Sequence, residues 1–221
     1  MACQSDAFVR AFRLMQKLSI ITAIHNALPM NRLYWKALHE NTLSAFELII
    51  IDNHSTDGSE LFFKSLAETT RNSHHEVIYA RNEFNQPYPT SQLQAMALAR
   101  YEMLCFFNND IWMPKGWEVP FQRKLSENKL LILSPSGQEA QPTQALSDAL
   151  KKKWKQLVLL SKIWKFCFLK SEEDRLWKAL TWMYQSLDPF HSPNPTNGKE
   201  SMNGIKGDAV VCHRDLPKTL G

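Results

Sequence analysis

The sequence predicts an α/β protein, a mainly parallel sheet flanked by helices. Three observations predict it. Short runs rich in β-branched residues recur through the first half of the chain, and each ends in polar or turn-forming residues. Between them lie segments whose apolar residues follow helical spacing. The two kinds of segment alternate at the spacing of β-α-β units, in which a crossover helix joins parallel strands.

The first strand is "LSIITAI", Leu18 to Ile24, short and β-branched, ending at His25-Asn26. "MNRLYWKALHENTL" follows, with Leu33, Ala37 and Leu38 at helical intervals. Leu48 to Ile51 form a second buried strand, closed by Asp52, Asn53 and the turn formers Ser55 to Gly58. "SELFFKSLAETTR" reads as a helix with Ser59 as its cap. "HEVIYARN" is a third strand. A loop with Pro87 and Pro89 leads to the helix "SQLQAMALARY", and "EMLCFFNND" is a fourth strand. After Trp117 the alternation weakens. "KLLILSP" suits a fifth strand, a long lysine-rich stretch suits one or two helices, and "DAVVCH" is a last strand. In the long stretch Trp154, Leu157, Val158 and Ile163 give an apolar stripe. At the other end, Phe8, Val9, Phe12 and Met15 give residues 1–17 the look of a short helix or a leader.

The 221 residues suffice for one sizeable core or one domain with an appendage, and 44% hydrophobic residues suit a globular chain rather than a disordered one. The net charge of +4 is compatible with anionic substrates and diagnoses none. Cys3, Cys105, Cys167 and Cys212 form no CxxC pair, which argues against a zinc or dithiol motif. Cys105, inside an apolar run, reads as a buried thiol. No apolar stretch is long enough to span a bilayer, and the N-terminus lacks the apolar centre of a secretory signal. A cytoplasmic location, extending to the inner face of the membrane, is the expectation.

Asn26, Asp52 and Asp110 all fall at strand ends, and in parallel sheets ligands gather at the carboxyl ends of the strands. Asp52, with Ser55 and Asp57 in the turn beyond it, could accept hydrogen bonds from a base or ribose. Asp110 could hold a divalent ion that bridges two phosphates. Asp and Asn also end strands simply because they make turns, and the same alternation serves dinucleotide and phosphate binders.

"LSIITAIHN", "FELIIIDNHSTDGS" and "NEFNQPYPTSQLQAMALARYEMLCFFNNDIWMPKGW" together resemble glycosyltransferase family 2, with its GT-A fold. The resemblance runs from Leu18 to Trp117 and more weakly from Asn203 to Gly221. It implies a nucleotide-sugar-binding half over 18–117. An acceptor-side half then spans 118–221, carrying a basic helical insertion at about 144–187. It implies that Ala23, His25, Asn26, Asp52, Asp57, Asn85 and Asn109 contact the nucleotide. Asn108-Asn109-Asp110 matches the Asp-x-Asp motif, with Asp110 and Asn108 toward Mg2+ or Mn2+. An Asn in the first motif position keeps an oxygen acceptor and drops a charge. The implied activity is inverting transfer from a nucleotide-diphosphate sugar to the hydroxyl of a glycan or lipid-linked acceptor, in cell-surface polysaccharide or glycan synthesis. The base that such a transfer needs is expected beyond Gly221, so a truncated remnant that binds without turnover is the alternative. Lys151, Lys152, Lys153, Lys155, Lys162, Lys165 and Lys170 surround "LVLL", with aromatic residues among them. A solvated helix with its aromatics on the core is the preferred reading, and peripheral contact with an anionic membrane the alternative. Mild charge and the lack of a recognised motif argue against nucleic acid.

Overall fold

The computed structural model describes residues 16–135, 143–167, 171–184 and 209–216. In chain order the elements are β1 (Leu18–Ile24), α1 (Leu28–Asn41), β2 (Phe46–Asp52), α2 (Ser59–Thr69), β3 (His75–Arg81), α3 (Tyr88–Leu98), β4 (Met103–Phe107), α4 (Glu118–Glu127), β5 (Ile132–Leu133), α5 (Gln144–Cys167), α6 (Glu172–Tyr184) and β6 (Ala209–His213). The expected helix or leader over 1–17 lies, but for its last two residues, outside the described residues.

The sheet order is β3-β2-β1-β4-β6-β5. The first four strands are parallel, as the alternation predicts, while β6 runs antiparallel between β4 and β5. Leu18, Ile20, Ile21, Leu48, Ile49 and Ile50 have no exposed surface, so both faces of the central strands are covered. On one face Ile20, Leu48 and Ile50 pack with Tyr34 and Leu38 of α1, Phe63 of α2 and Leu125 of α4. On the other, Ile21, Ile49, Ile51 and Leu104 pack with Ala95 of α3 and with Ala99 just beyond it. Each such aliphatic side chain contributes about 1.5–3 kcal/mol on burial. A one-residue slip would send each of them to the wrong face. Core packing therefore holds the register that sets Asp52 between Ile24 and Arg81.

Several elements differ from expectation, among them α3, which starts at Tyr88 with Pro89 in its first turn rather than at Ser91, and β5, which is only Ile132–Leu133. Helix α1 begins at Leu28, two residues before the predicted start, because Pro29 falls in the first turn, where its missing N–H costs nothing. Gly58, with φ of 94°, rather than Ser59, is the cap of α2. Helix α4 was not predicted, since two of its three buried residues are polar, Glu118 and Gln122, which hides the helical period. Glu118 is buried because its Oε1 accepts the N–H groups of Leu43 and Ser44 at 2.7 and 2.8 Å. Cys105 is a buried free thiol as expected, and burial raises its pKa well above the usual value.

The chain divides between Ser134 and Pro135 and again between Ile205 and Lys206, which separates the sheet with its helices from a helical unit. Within that unit α5 packs on α6 through Leu150, Leu157, Ala179 and Met183, with Trp154 and Trp164 against them. Ile163, expected in the apolar stripe, is instead 53% exposed. It lies six residues past Leu157, about 1.7 turns, which leaves it about 120° away from that face. Among the described residues no helix is long and apolar enough to cross a membrane.

Candidate functional site

The carboxyl ends of β1, β2, β3 and β4 lie along one edge of the sheet, and the loops that leave them are joined by polar side chains. Strand β1 ends at Ile24, level with Asp52 on β2, which is level in turn with Arg81 on β3. Phe106 of β4 pairs with Ile21, so Asn108, Asn109 and Asp110 emerge at the same edge.

Asp52 has no exposed surface. Its Oδ1 accepts the N–H of Ser55 at 2.8 Å and its Oδ2 accepts the Tyr79 hydroxyl at 2.7 Å. The Arg81 guanidinium stands 3.9 Å from the same oxygen and pairs with Glu60. Burial, then the Asp52 carboxylate, push the Tyr79 hydroxyl well above its ordinary value and keep it a donor. A carboxylate has about four acceptor sites, and the Ser55 N–H and the Tyr79 hydroxyl take up two of those of Asp52.

Asp57 is exposed, yet both oxygens are engaged. Oδ2 accepts the N–H of Leu28 at 2.7 Å, and Oδ1 accepts the N–H and hydroxyl of Ser59 at 3.1 and 2.7 Å. One side chain thus satisfies the first N–H of both α1 and α2, from outside their cap positions Ala27 and Gly58. Burial acts to raise its pKa, but these hydrogen bonds, led by that from the Ser59 hydroxyl, outweigh it and hold the group below the usual carboxylate value.

Asn26 and Ala27 both adopt left-handed backbone, with φ of 59° and 66°. Such a conformation is strained for alanine and recurs at functional turns. Asn26 Oδ1 accepts the Thr56 N–H at 2.8 Å, and its own N–H donates to Ser55 Oγ at 2.8 Å. The exposed His25 ring donates from Nδ1 to the Asn53 carbonyl at 2.7 Å, because a carbonyl can only accept. Its Nε2 is left to accept from the Asn26 amide at 3.2 Å. Ala23, half-buried, pairs with Ile51. Asn85 is exposed in the loop between β3 and α3.

The link to the Asn108–Asp110 segment runs through Asn31, which no motif marked. Asn31 is fully buried in the first turn of α1. Its Nδ2 donates to the Asn26 carbonyl and to Ser59 Oγ, both at 2.9 Å, and its Oδ1 accepts from Asn109 Nδ2 at 2.7 Å. Asn53 plays a similar part on the other side, accepting from Asn82 at 2.7 Å and Ser91 at 2.9 Å. Tyr88 donates to Asn108 Oδ1 at 2.9 Å. A signal for Asn31 existed in the sequence: it lies three and seven residues before Tyr34 and Leu38, on the apolar stripe of α1.

Asp110 is exposed. Among the described residues no three His, Cys, Asp or Glu side chains come together to hold a metal ion. One exposed carboxylate, two residues from the Asn108 amide, suits a hard cation that draws most of its ligands from a diphosphate and water. Those residues fit an ion that arrives with its nucleotide, not one held permanently by protein groups. His213 and Asp215 sit elsewhere. Strand β6 is antiparallel and His213 pairs with Met103, at the start of β4, so both lie at the opposite edge. There His213 contacts Glu102 and Asp215 at 3.3 and 3.4 Å. Asp208 lies outside the described residues.

A family model described as glycosyl transferase family 2 matches residues 19–161. No curated protein sequence gives a significant match. Among solved structures, the mannosyltransferase PcManGT from Pyrobaculum calidifontis, in complex with GDP-Man and Mn2+, is 15% identical, with a TM-score of 0.50 over 67% of this chain and 46% of that one. GalNAc-T7 with UDP, GalNAc and Mn2+ is 13% identical, with a TM-score of 0.50 over 55% of this chain and 22% of that one. S. aureus TarS 1-349 with UDP-GlcNAc is 21% identical over 50% of this chain and 31% of that one, with a TM-score of 0.44. The first two likenesses are to the fold alone, and the chain spans less than half the length of each of the three structures.

Proposed function

The chain belongs to glycosyl transferase family 2, and from that premise we propose that it binds a nucleotide-diphosphate sugar at the carboxyl edge of β1, β2 and β4 and transfers the sugar, with inversion, to an acceptor hydroxyl. The observation that carries this reading is the convergence of Asn26, Asp52 and the Asn108–Asp110 segment on one sheet edge, with Asn31 joining Asn26 to Asn109. Asp52 would take hydrogen bonds from the base or ribose. Ala23, His25, Asn26, Asp57, Asn85 and Asn109 would shape the wall around the nucleotide. Asp110, with the Asn108 amide oxygen, would hold Mg2+ or Mn2+ against the diphosphate. When bound, such an ion neutralises the charge that develops on the leaving diphosphate. The acceptor would be a glycan or a lipid-linked hydroxyl of cell-surface polysaccharide synthesis, and a lipid-linked acceptor would call for contact with a membrane.

The test is a calorimetric titration of the chain with UDP-, dTDP- and GDP-sugars, with and without Mg2+ or Mn2+. The expected result is a preferred base and a metal-dependent gain in affinity that Asp110→Ala abolishes. Asp52→Ala weakens binding with or without metal, by roughly tenfold or more, since a charge-assisted hydrogen bond is worth about 1.5–3 kcal/mol. Unchanged affinity in both variants would refute the assignment. The position of Asp215, beside His213 at the opposite edge of the sheet, favours a second reading, binding without turnover. Donor binding with neither hydrolysis nor transfer would select it.

A further inference from the structure

We propose that the outer face of α5 is a docking surface for an anionic lipid bilayer. Two rows of side chains run along this helix. Leu150, Trp154, Leu157, Ser161 and Trp164 recur at three and four residues and are buried or half-buried, the leucines and tryptophans packing toward Ala179 and Met183 of α6. Lys152, Lys155, Leu159 and Ile163 recur at the same spacing on the opposite side, and all four are exposed. Leu159 is 62% exposed, Ile163 53% and the adjacent Leu160 40%. Lys162 flanks them.

Aliphatic side chains are also exposed elsewhere, as at Leu61 and Leu93, but on α5 three of them cluster among lysines. A bilayer surface uses both, because anionic headgroups attract the ammonium groups while the aliphatic groups enter the acyl boundary. Exposed Asp148 borders the N-terminal end of this face, and beyond it the charge is of one sign. From Ala149 to Ser171 the sequence holds seven lysines and no Asp or Glu. A nucleic acid would complement the lysines and leave Leu159, Leu160 and Ile163 in water. The 24 residues of α5 are not apolar enough to cross a bilayer, so the helix would lie along the surface. On α6, Trp182 is 45% exposed, and Lys178 stands over the Trp164 and Trp182 rings at 5.0 and 5.2 Å. Such amphipathic aromatic groups favour the headgroup region.

Membrane contact deepens the acceptor part of the proposed function, yet vesicle binding is measured without donor or acceptor, so either reading can fail alone. The experiment is flotation of the full chain with vesicles of phosphatidylcholine, and of phosphatidylcholine containing about one-quarter phosphatidylglycerol, at low and high salt. The expected result is binding to the mixed vesicles roughly tenfold or more tighter than to the neutral ones, weakened by salt. Lys152→Ala with Lys155→Ala, and separately Leu159→Asn with Ile163→Asn, should each cut it by roughly tenfold, with helical circular dichroism unchanged. Equal affinity for both vesicles, no binding to either, or binding indifferent to the Leu159 and Ile163 changes would overturn the proposal. So would competition by a single-stranded oligonucleotide that needs only the lysines, or vesicle-free self-association that those two apolar changes abolish.

Discussion

Replacing Asn31 by alanine tests whether one buried amide organises the sheet edge. Asn31→Ala removes three hydrogen bonds of 2.7 to 2.9 Å from a site with no exposed surface. At about 1 kcal/mol net for each bond, with part of a desolvation cost for acceptors left without a donor, the loss is about 3–4 kcal/mol. Ser59 Oγ keeps its bond to Asp57, and the half-buried Asn109 amide can turn to water, so the Asn26 carbonyl bears most of the added cost. For a chain of this size the melting temperature should fall by about 6–15 °C. Urea unfolding followed by circular dichroism measures the loss, with the exposed Glu40→Ala on the same helix as control. A second readout separates stability from organisation. At a temperature where the variant is folded, its affinity for nucleotide-diphosphate sugar should fall although Asn31 is buried beneath the loops, because the Asn109 and Asn26 turns lose their common anchor. An Asn31→Ala protein with the stability of the Glu40→Ala control and unchanged nucleotide affinity would show that the amide joins nothing of consequence.

Asp57→Ala should destabilise the fold by about 1–3 kcal/mol, since it takes the acceptor from the first N–H of two helices at once, as thermal melts would report. Because the folded pKa of Asp57 lies below its unfolded value, its contribution is present above the ordinary carboxylate range and is lost as pH falls through the folded pKa. The gap between wild type and Asp57→Ala should therefore narrow in acid. His75 acts over a different window. Burial, then the neighbouring His74 and His39, lower its pKa from 6.5 to about 4. The unfolded chain binds its proton first, so stability is full above pH 6.5 and declines between pH 6.5 and 4, by about 1–2 kcal/mol once solvent screening of this partly exposed ring is allowed for. His75→Phe should flatten that part of a melting-temperature profile, and an unchanged slope would exclude His75 as its source. Tyr79→Phe deprives Asp52 Oδ2 of its 2.7 Å donor and should cost about 1–2 kcal/mol in urea unfolding, with full stability in the variant counting against the bond.

Much of this architecture is written locally. The run Leu18 to Ile24 is a strand because seven residues of that composition suit a strand covered on both faces, and the structure ends it where the sequence does. Asp110 and Asp52 are recognisable as strand-end acids for the same reason: the signal lies in the apolar residues just before them. Helix α4 escaped notice because Glu118 and Gln122 occupy positions where a pattern reading expects apolar side chains, and only their partners Leu43, Ser44 and Gln16 explain them. Ile163 faces away from α6 because its place in α5, six residues past Leu157, is about 1.7 turns on and does not return to the buried face.

By itself the sequence determined the order of strands and helices and the turns where acids and amides collect, because spacing and side-chain chemistry act within a few residues. Only the tertiary structure decided that β6 enters antiparallel beside β4, that Asp57 spends both oxygens on two helix starts, and that Asn31 reaches Asn26, Ser59 and Asn109 together. Those bonds join groups as far as 78 residues apart. Their partners become neighbours only after the core has set the register of the sheet.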